Sequence, residues 1–273
     1  MTQPHHRVAV ITGAARPQGR SHALALAGLG FDIIAIDCCS DIPSARYPLA
    51  TEADLDRTAD LVLDAGGRIE TIVADVRDLP GLRAGIATGT DRFGDVDILI
   101  ADAGVIDHGL TDSDDDQLYR DIVDINLTGA WHTIAATAPS MMRLGTGGSI
   151  TLVSYMQNLL GRDNDVSAAS AAYAASAHGV VGLTRSASSA YGPHGIRVNA
   201  VLPAEVPGTR FFSKDTKDLD EIELYTGYLS TAAPSSRCID PADVTDAVLF
   251  LSSDFARHIS GMALAIGAGF AMT

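Results

Sequence analysis

The helical run around Tyr173 holds the residues best suited to acid–base chemistry. Residues 171–191 show the apolar periodicity of a helix. Residues four apart share a helix face, so a cation at position 177 would stabilise the phenolate form of Tyr173. Position 177 is alanine, and His178 points about 100° away from that face. A phenol with a pKa of about 10 is ionised in roughly one molecule in a thousand at neutral pH. The spacing therefore predicts a weak base.

A second chemical signature is the glycine-containing turn between Thr12 and Gly19. The turn follows a short apolar strand and opens a helical run. Such a turn presents backbone N–H groups at a helix N-terminus, where a pyrophosphate binds. Asp37 ends the next predicted strand, where a carboxylate accepts hydrogen bonds from adenosine ribose hydroxyls. Together these features predict a dinucleotide site.

The charge at the end of the second strand predicts which dinucleotide binds. The carboxylate of Asp37 would repel a 2′-phosphate, which favours NAD over NADP. Arg16 and Arg20 argue the other way, because a guanidinium near the turn would bind that phosphate. We expect NAD. Pro17, inside the turn, removes one backbone N–H that a phosphate would otherwise use.

Composition limits the classes of partner. The chain has 273 residues, 47% of them hydrophobic, and a formal net charge of −15. A nucleic-acid or anionic-membrane partner requires a basic surface, so we expect neither. Cys38, Cys39 and Cys238 show neither a disulfide framework nor a metal-ligand spacing. The N-terminus lacks the apolar stretch of a signal peptide and no apolar run reaches the roughly 18 residues of a membrane span, which predicts a cytoplasmic protein.

Strand-like and helix-like segments alternate along the whole chain. The predicted strands are residues 8–11, 31–36, 70–74, 97–101, 149–154, 197–202 and 262–266, and the main predicted helices are residues 19–29, 54–65, 79–93, 119–143, 171–191 and 241–251. Strands that are apolar on both faces and separated by helices are typical of a covered parallel sheet. The sequence predicts one α/β domain over residues 1–273, a Rossmann-type doubly wound parallel sheet of about seven strands with helices on both faces.

Two segments do not fit this alternation. Residues 39–50 form a polar, proline-containing stretch after the second strand, and residues 205–233 follow the sixth strand. A long segment at the carboxyl end of a strand is the usual place for a ligand lid. We interpret residues 205–233 as a substrate lid.

The motifs resemble those of the short-chain dehydrogenase/reductase family over nearly the whole chain. The turn after the first strand resembles the family's Thr-Gly-x-x-x-Gly-x-Gly motif, with Pro17 in place of the middle glycine. Residues 101–104 resemble the Asn-Asn-Ala-Gly motif, with Asp102 in place of the second asparagine. Tyr173 begins the Tyr-x-x-x-Lys motif, in which Ala177 replaces the lysine. Residues 19–22, 124–129 and 178–183 are most similar to carveol dehydrogenase-like enzymes associated with the redox cofactor mycofactocin. The resemblance implies oxidation of secondary alcohols and a tightly held nicotinamide.

The resemblance also implies roles for individual residues. The cofactor would be contacted by Gly13, Arg16, Gln18, Gly19, Asp37, Asp75, Val76, Ala101, Gly104, Pro203 and Val206. Asn126 would hold a proton-relay water, and Tyr173 would take the proton of the substrate hydroxyl as hydride leaves for the nicotinamide. The serine that polarises the substrate oxygen usually comes second in a Ser-Ser pair, which here reads Ser154-Tyr155. That count puts Tyr155 in the catalytic position, with Ser154 reaching the substrate if the strand register shifts by one.

Three functions remain open at this point. The first is an NAD-dependent alcohol dehydrogenase or ketone reductase with an altered catalytic set, acting on a small molecule. The second is a non-redox enzyme that uses Tyr155 and Tyr173 for proton transfer, dehydration, isomerisation or cyclisation. The third is a non-catalytic cofactor-binding subunit. Members of the family usually form tetramers through two long helices, here residues 119–143 and 171–191, so we expect a homotetramer or homodimer.

Overall fold

The apolar runs of the sequence form the strands of one parallel sheet. The computed structural model describes residues 6–45, 47–106, 116–156, 167–204, 206 and 239–267. Its strands are β1 (Val8–Thr12), β2 (Asp32–Asp37), β3 (Arg68–Val73), β4 (Ile98–Ala101), β5 (Gly148–Val153), β6 (Ile196–Pro203) and β7 (Ala263–Ile266). They lie in the order β3-β2-β1-β4-β5-β6-β7, and every pair is parallel. The predicted seven-stranded doubly wound sheet is confirmed.

Helices cover both faces of this sheet. They are α1 (Pro17–Gly28), α2 (Glu52–Asp64), α3 (Leu79–Phe93), α4 (Asp116–Val123), α5 (Gly129–Leu144), α6 (Ala168–Tyr191) and α7 (Pro241–Ser252). Residues of α3, α4, α5 and α6 join the apolar core on one face, and residues of α1, α2 and α7 join the core on the other. The first strand shows why two cores form: Val8 and Val10 belong to one, whereas Ala9 and Ile11 belong to the other. Alternate side chains of a strand point to opposite faces.

Local sequence explains where the helices begin. Pro17 is the first residue of α1, a position where its fixed φ suits the helix and its missing N–H costs little. The helix thus starts two residues before the predicted boundary. A capping box starts α2: the Thr51 side chain accepts from the Asp54 N–H, and the Asp54 carboxylate accepts from the Thr51 N–H at 3.0 Å. Ser167 caps α6 through the N–H of Ser170.

The long helix predicted over residues 119–143 contains an irregularity. Its first part, α4, is separated from α5 by a single π-helical turn, Asp124–Thr128. A π-turn inserts one extra residue and redirects the side chains around it, and such turns are frequent at functional sites. Asn126 lies in this turn. Hydrophobic periodicity does not reveal one inserted residue, so the sequence predicted an unbroken helix.

The two irregular segments differ in what the structure describes. Residues 39–50, apart from residue 46, follow β2 without forming a helix or strand, as predicted. Ile42, Leu49 and Ala50 in this segment are buried. The predicted lid, residues 205–233, lies outside the described residues except for Val206, which is buried. Within the described chain, no helix combines the length and apolar character that a membrane crossing requires.

Candidate active site

The candidate site lies where the strand order reverses direction. From β1 the chain moves outward to β2 and β3, and it then returns to the other side of β1 to form β4. The loops after β1 and β4 therefore diverge and leave a crevice at the carboxyl edge of the sheet, the place where ligands bind to open α/β sheets. The turn after β1 and the segment after β4 form its walls.

Two glycines allow the backbone to pack closely around this turn. Gly13 has a φ of +73°, and a Cβ there would lie 3.0 Å from the backbone of Asp102 and Ala103. A Cβ on Gly19 would lie only 2.3 Å from the carbonyl oxygen of Gly13. Any larger residue at position 19 would push the start of α1 away from the turn. The glycines thus hold the positive end of the α1 dipole at the crevice.

A cleft of about 660 Å³ occupies the crevice. Seven of the predicted cofactor-contacting residues line it, namely Gly13, Arg16, Gln18, Asp37, Asp75, Val76 and Gly104. The other four, Gly19, Ala101, Pro203 and Val206, are buried and do not line the cleft. Sequence reasoning missed the apolar wall that Ile42 and Leu49 supply, because no periodic pattern marks residues 39–50.

Asp37 and the two nearby arginines have different surroundings. The Asp37 carboxylate lines the cleft and accepts hydrogen bonds from the N–H groups of Ala15 at 3.0 Å and Cys39 at 3.3 Å. Arg20 does not line the cleft, and its guanidinium donates to the Thr58 hydroxyl at 3.0 Å and to the Ala15 carbonyl oxygen at 2.8 Å. Arg16 lines the cleft. The structure therefore removes Arg20 as a candidate for binding a 2′-phosphate.

Residues 39–50 connect the turn to the segment after β4. The Arg16 guanidinium lies 5.8 Å from the centre of the Tyr47 ring and donates to the Pro48 carbonyl oxygen at 3.4 Å. The Tyr47 hydroxyl accepts a hydrogen bond from the Ile106 N–H at 3.2 Å. These contacts run from one wall of the cleft to the other. The segment therefore bridges the cleft.

A buried hydrogen-bond network fixes the side-chain amide of Gln18. The Thr245 hydroxyl donates to the Pro241 carbonyl oxygen at 2.9 Å and therefore accepts from Nδ1–H of His22 at 2.9 Å. His22 Nε2 is then an acceptor for Gln18 Nε2 at 3.3 Å, and Gln18 Nε2 also donates to Pro241 at 3.0 Å. This assignment follows from the donors and acceptors available. Gln18 Oε1, buried, has no hydrogen-bond partner among the described residues.

These features fit a dinucleotide. The first N–H groups of α1 have no partner within the helix and suit a pyrophosphate. Asp37 provides an acceptor for ribose hydroxyls, and the orphaned Gln18 Oε1 requires a donor such as a hydroxyl or an amide N–H. Gly13 lines the cleft without a side chain, so a ligand there would meet main-chain atoms directly.

The buried network has an electrostatic consequence at His22. Complete burial lowers the pKa of His22 from 6.5 to about 3, so the ring is neutral at physiological pH. Its Nε2 lies 4.0 Å from the carboxylate of Asp102, the residue that departs from the family's asparagine. Neither residue was singled out by periodicity as part of a network. Only the fold brings α1, α7 and the end of β4 together here.

A second, smaller cavity is lined by three of the four predicted catalytic residues. It measures about 250 Å³ and is lined by Ala103, Gly104, Asn126, Val153, Ser154, Tyr173, Ser176 and Ala177. Ala103 and Gly104 also line the larger cleft, so the two spaces adjoin. Ser176, which sequence reasoning did not name, donates a hydrogen bond to the Tyr173 carbonyl oxygen at 2.8 Å. The cavity is thus lined by hydroxyl and amide groups beside the cofactor cleft.

Asn126 is held rigidly at the wall of this cavity. Its side-chain amide donates to the Val105 carbonyl oxygen at 2.8 Å and accepts from the Val105 N–H at 2.8 Å. Two such bonds to one residue fix both the position and the rotation of the amide. Because Asn126 lies in the π-turn, its side chain faces the segment after β4.

The structure separates Ser154 from Tyr155. Ser154 follows β5, keeps the ladder to β6 through its N–H to the Val201 carbonyl oxygen at 3.0 Å, and lines the cavity. Tyr155 does not line this cavity. Its ring is buried and meets the Tyr173 ring edge-on, with 5.6 Å between centroids. Successive residues at a strand end point in opposite directions, so Ser154 faces this cavity while Tyr155 packs against Tyr173.

Ala177 is buried and lines the cavity beside Tyr173. No charged side chain is present among the described residues that line this cavity. His178 is exposed and its Nδ1 lies 2.9 Å from the Ala174 carbonyl oxygen of its own helix, as the 100° offset predicts. Both lysines of the chain, Lys214 and Lys217, fall outside the described residues.

The sequence is similar to a known protein family and to several individual proteins. A family model described as enoyl-(acyl carrier protein) reductase matches residues 13–271. A (−)-trans-carveol dehydrogenase of Rhodococcus erythropolis is 39% identical over 278 residues, covering 98% of this chain and 99% of the relative. An uncharacterised oxidoreductase of Mycobacterium tuberculosis is 42% identical over 270 residues, covering 97% and 96%.

Solved structures show the same similarity. Carveol dehydrogenase from Mycobacterium avium, crystallised in complex with NAD, aligns with a TM-score of 0.85 and 39% identity over 98% of both chains. A short-chain dehydrogenase from Mycobacterium paratuberculosis bound to NAD aligns with a TM-score of 0.87 and 35% identity, covering 98% of this chain and 99% of that one.

The glycine contact predicts a sharp difference between two alanine substitutions in α1. Gly19→Ala places a methyl group against backbone that cannot move cheaply, and we expect a loss of about 1–3 kcal/mol in the free energy of unfolding. Gly28→Ala is the control, because nothing lies within 4 Å of a Cβ there. It should leave stability unchanged or raise it by up to about 1 kcal/mol. Urea unfolding measures both. Equal stabilities would contradict the tight contact.

The neutral His22 predicts a pH dependence of stability. Its folded pKa of about 3 lies below the ordinary 6.5, so the unfolded chain binds the proton first as the pH falls. The contribution is fully present above pH 6.5 and is lost at up to about 1.4 kcal/mol per pH unit below it, until the pH reaches the folded pKa. We expect His22→Asn to flatten the fall in unfolding free energy between pH 6.5 and 4.5. His194→Asn, at an exposed position, should retain the wild-type slope. Parallel slopes for all three proteins would contradict a buried neutral ring.

Proposed function

The chain belongs to the short-chain dehydrogenase/reductase family, and from that membership we propose that it transfers hydride between NAD and a secondary alcohol or its ketone. The observation that carries the proposal is the assembly of Asn126, Ser154 and Tyr173 around one cavity that adjoins the cofactor cleft. The similarity to carveol dehydrogenases supports a secondary alcohol as the substrate class.

The chain's own residues supply binding and proton transfer. When bound in the cleft, NAD supplies the hydride acceptor for the oxidation. Ser154 donates a hydrogen bond to the substrate oxygen and orients the alcohol. The Tyr173 hydroxyl exchanges a proton with that oxygen, as a base during oxidation and as an acid during ketone reduction. Asn126 holds its place through Val105 and lines the path by which the proton reaches solvent.

The missing cation gives the proposed reaction a distinct pH dependence. No charged side chain is present among the described residues that line the cavity, and a cation there would favour the phenolate form of Tyr173. Oxidation requires that phenolate as the base, so its rate should rise with pH throughout the range in which the protein is stable. Ketone reduction uses the protonated hydroxyl as the acid and should not share this rise.

The cleft supports NAD in preference to NADP. The Asp37 carboxylate is held at the end of β2 by two backbone N–H groups and lines the cleft. Arg20 is engaged by Thr58 and Ala15 and does not provide a counter-charge. The two aligned relatives that carry NAD support the same choice. Gln18, Asp75 and Val76 would complete the contacts along the cofactor.

The protein would assemble as a homotetramer or homodimer through α4, α5 and α6. Trp131 on α5 is 49% exposed and Tyr119 on α4 is 37% exposed. Large exposed aromatic residues on neighbouring helices favour a protein interface. This assembly would cover them.

The alanine at position 177 favours one alternative function, a non-redox enzyme on the same scaffold. Such an enzyme would transfer protons through the Tyr173 phenol and would transfer no hydride. Its activity would not change with the oxidation state of the nicotinamide. The two-phenol version of this alternative has weaker support, because Tyr155 packs behind Tyr173 and does not line the cavity.

Restoring a cation tests the proposed chemistry. We expect Ala177→Lys to raise kcat/KM for oxidation of cyclic secondary alcohols at neutral pH by about 10- to 1,000-fold, since a nearby ammonium lowers a phenol pKa by one to three units. The gain should shrink as the pH rises. Ala175→Lys adds the same charge at an exposed position of α6 and should have no effect. Nicotinamide absorbance with NAD⁺ measures the rates. Absence of turnover in both the wild type and Ala177→Lys would refute the redox proposal.

Removing the acidic group at the end of β2 tests cofactor choice. Asp37→Ser should raise the affinity for NADPH relative to NADH by at least about tenfold, the factor that 1.4 kcal/mol of relieved repulsion provides. Asp56→Ser removes the same charge from an exposed position of α2 and serves as the control. Fluorescence titration gives both dissociation constants. An unchanged ratio in Asp37→Ser would show that this carboxylate does not select the cofactor.

A further inference from the structure

Arg77, two residues beyond Asp75, fixes the position of one carboxylate in the cleft. Its Nε lies 3.1 Å and 3.0 Å from the two oxygens of Asp75, and its Nη2 lies 2.6 Å from Oδ2. The Arg77 backbone N–H also donates to Asp75 Oδ1 at 2.8 Å. A planar guanidinium bound in this forked manner restricts both the distance and the rotation of its partner. Asp75, which lines the cleft, is therefore preoriented.

The same guanidinium has a third partner on another element. Its Nη1 donates to Asp121 Oδ1 at 3.2 Å, and Asp121 is a nearly buried residue of α4. The other oxygen of Asp121 accepts a hydrogen bond from the Ser44 hydroxyl at 2.6 Å. Ser44 belongs to the 39–50 segment that bridges the cleft. One arginine thus links the loop after β3, helix α4 and the bridging segment.

Charge explains why these groups depend on one another. Partial burial acts to raise the pKa of Asp75, but the hydrogen bonds and charge of Arg77 outweigh it and hold the pKa below its ordinary value. Asp121 contributes a second carboxylate to the same guanidinium, with only 11% of its side chain exposed. Without Arg77, the partly buried carboxylates of Asp75 and Asp121 would lose the cation that they share. The bridging segment would lose a fixed acceptor for Ser44.

The anchored loop forms part of the wall of the cofactor cleft. Asp75 and Val76 line the cleft together with Asp37, Ile42 and Leu49. The Val76 carbonyl oxygen is 2.9 Å from His132 Nδ1, which steadies the loop from the other side. An ionised carboxylate accepts hydrogen bonds and donates none. A base that presents an amino group to Asp75 is therefore favoured over one that presents a carbonyl oxygen.

We infer that Arg77 is a positioning residue of the cofactor cleft: it fixes the carboxylate of Asp75, which the proposed function already places along the nucleotide, and through Asp121 it anchors the bridging segment by Ser44. The inference rests on the proposed use of the cleft for a dinucleotide. On this inference, the preference for the base and the retention of the bound nucleotide both depend on the guanidinium of Arg77.

Substitutions that separate the contact of Arg77 with Asp75 from its link to Ser44 through Asp121 test this role. Arg77→Lys keeps the positive charge and loses the fork, so it should weaken NADH binding by at least about tenfold and raise the dissociation rate. The preference for NADH over its reduced hypoxanthine analogue, which carries a carbonyl oxygen instead of the amino group, should fall by a similar factor. Ser44→Ala removes only the hydrogen bond between the bridging segment and Asp121. It should raise the dissociation rate about threefold or more and leave the base preference unchanged.

Nicotinamide fluorescence in titration and stopped-flow displacement measures these quantities. Arg83→Lys, at an exposed position of α3, is the matched control and should behave as wild type. The combined Arg77→Lys/Ser44→Ala variant should dissociate no faster than Arg77→Lys alone, because the anchor is already lost. A purely structural role would lower the melting temperature and change both analogues equally.

The outcomes distinguish this inference from the proposed function. If the wild type turns over alcohols and Arg77→Lys binds both analogues within twofold of wild type, the inference fails while the function stands. If the wild type binds NADH with the stated base preference, Arg77→Lys loses that preference and neither protein turns over an alcohol, the function fails while the role of Arg77 stands. If Arg77→Lys does not fold, Ser44→Ala decides: a dissociation rate within twofold of wild type overturns the inference.

Discussion

The close contact between Gly13 and Gly19 is the constraint on which the cofactor cleft depends. It presses the N-terminus of α1 against the turn after β1, so that the helix dipole and the first N–H groups act at the crevice. Hydrogen bonds then fix the turn, since Ala15 donates to Asp37 and its carbonyl oxygen accepts from Arg20. The acidic end of β2 is therefore positioned by the turn that it helps to form. A ligand meets a site that is already organised, which reduces the entropy lost on binding.

The second half of the site is organised by the segment after β4. Ala103 and Gly104 line both the cofactor cleft and the smaller cavity, and Asn126 pairs with the adjacent Val105 from the π-turn. Helix α4 leads directly into this π-turn, and Asp121 in α4 is the residue that Arg77 holds. The cofactor end and the proton-transfer end are thus connected by one short helix. Displacing α4 would disturb both ends.

Sequence patterns were sufficient for the sheet and for most helices, because burial on both faces produces apolar runs that periodicity detects. They placed Tyr173 and Asn126 at the cavity through local motifs. They left the choice between Ser154 and Tyr155 open, because a motif count does not give the direction of side chains at the end of a strand. They gave no sign of the pairs Arg77–Asp121, Ser44–Asp121 and His22–Thr245, because partners 44, 77 and 223 residues apart leave no periodic signal. Such pairs become visible only once the elements are packed.

The absence of a cation at Ala177 affects the two parts of the proposed reaction unequally. Placing a substrate carbon beside a bound nicotinamide depends on the cleft and on Ser154, and this positioning accounts for a large share of any rate enhancement. Proton transfer is usually worth about 10²–10⁴ in rate and falls when the pKa of the base lies far above the working pH. A cation beside Tyr173 would favour the phenolate that oxidation uses and would not help the protonated hydroxyl that ketone reduction uses. We therefore expect the alanine at position 177 to slow the proposed oxidation more than the proposed reduction, while the cleft and Ser154 keep their part in positioning.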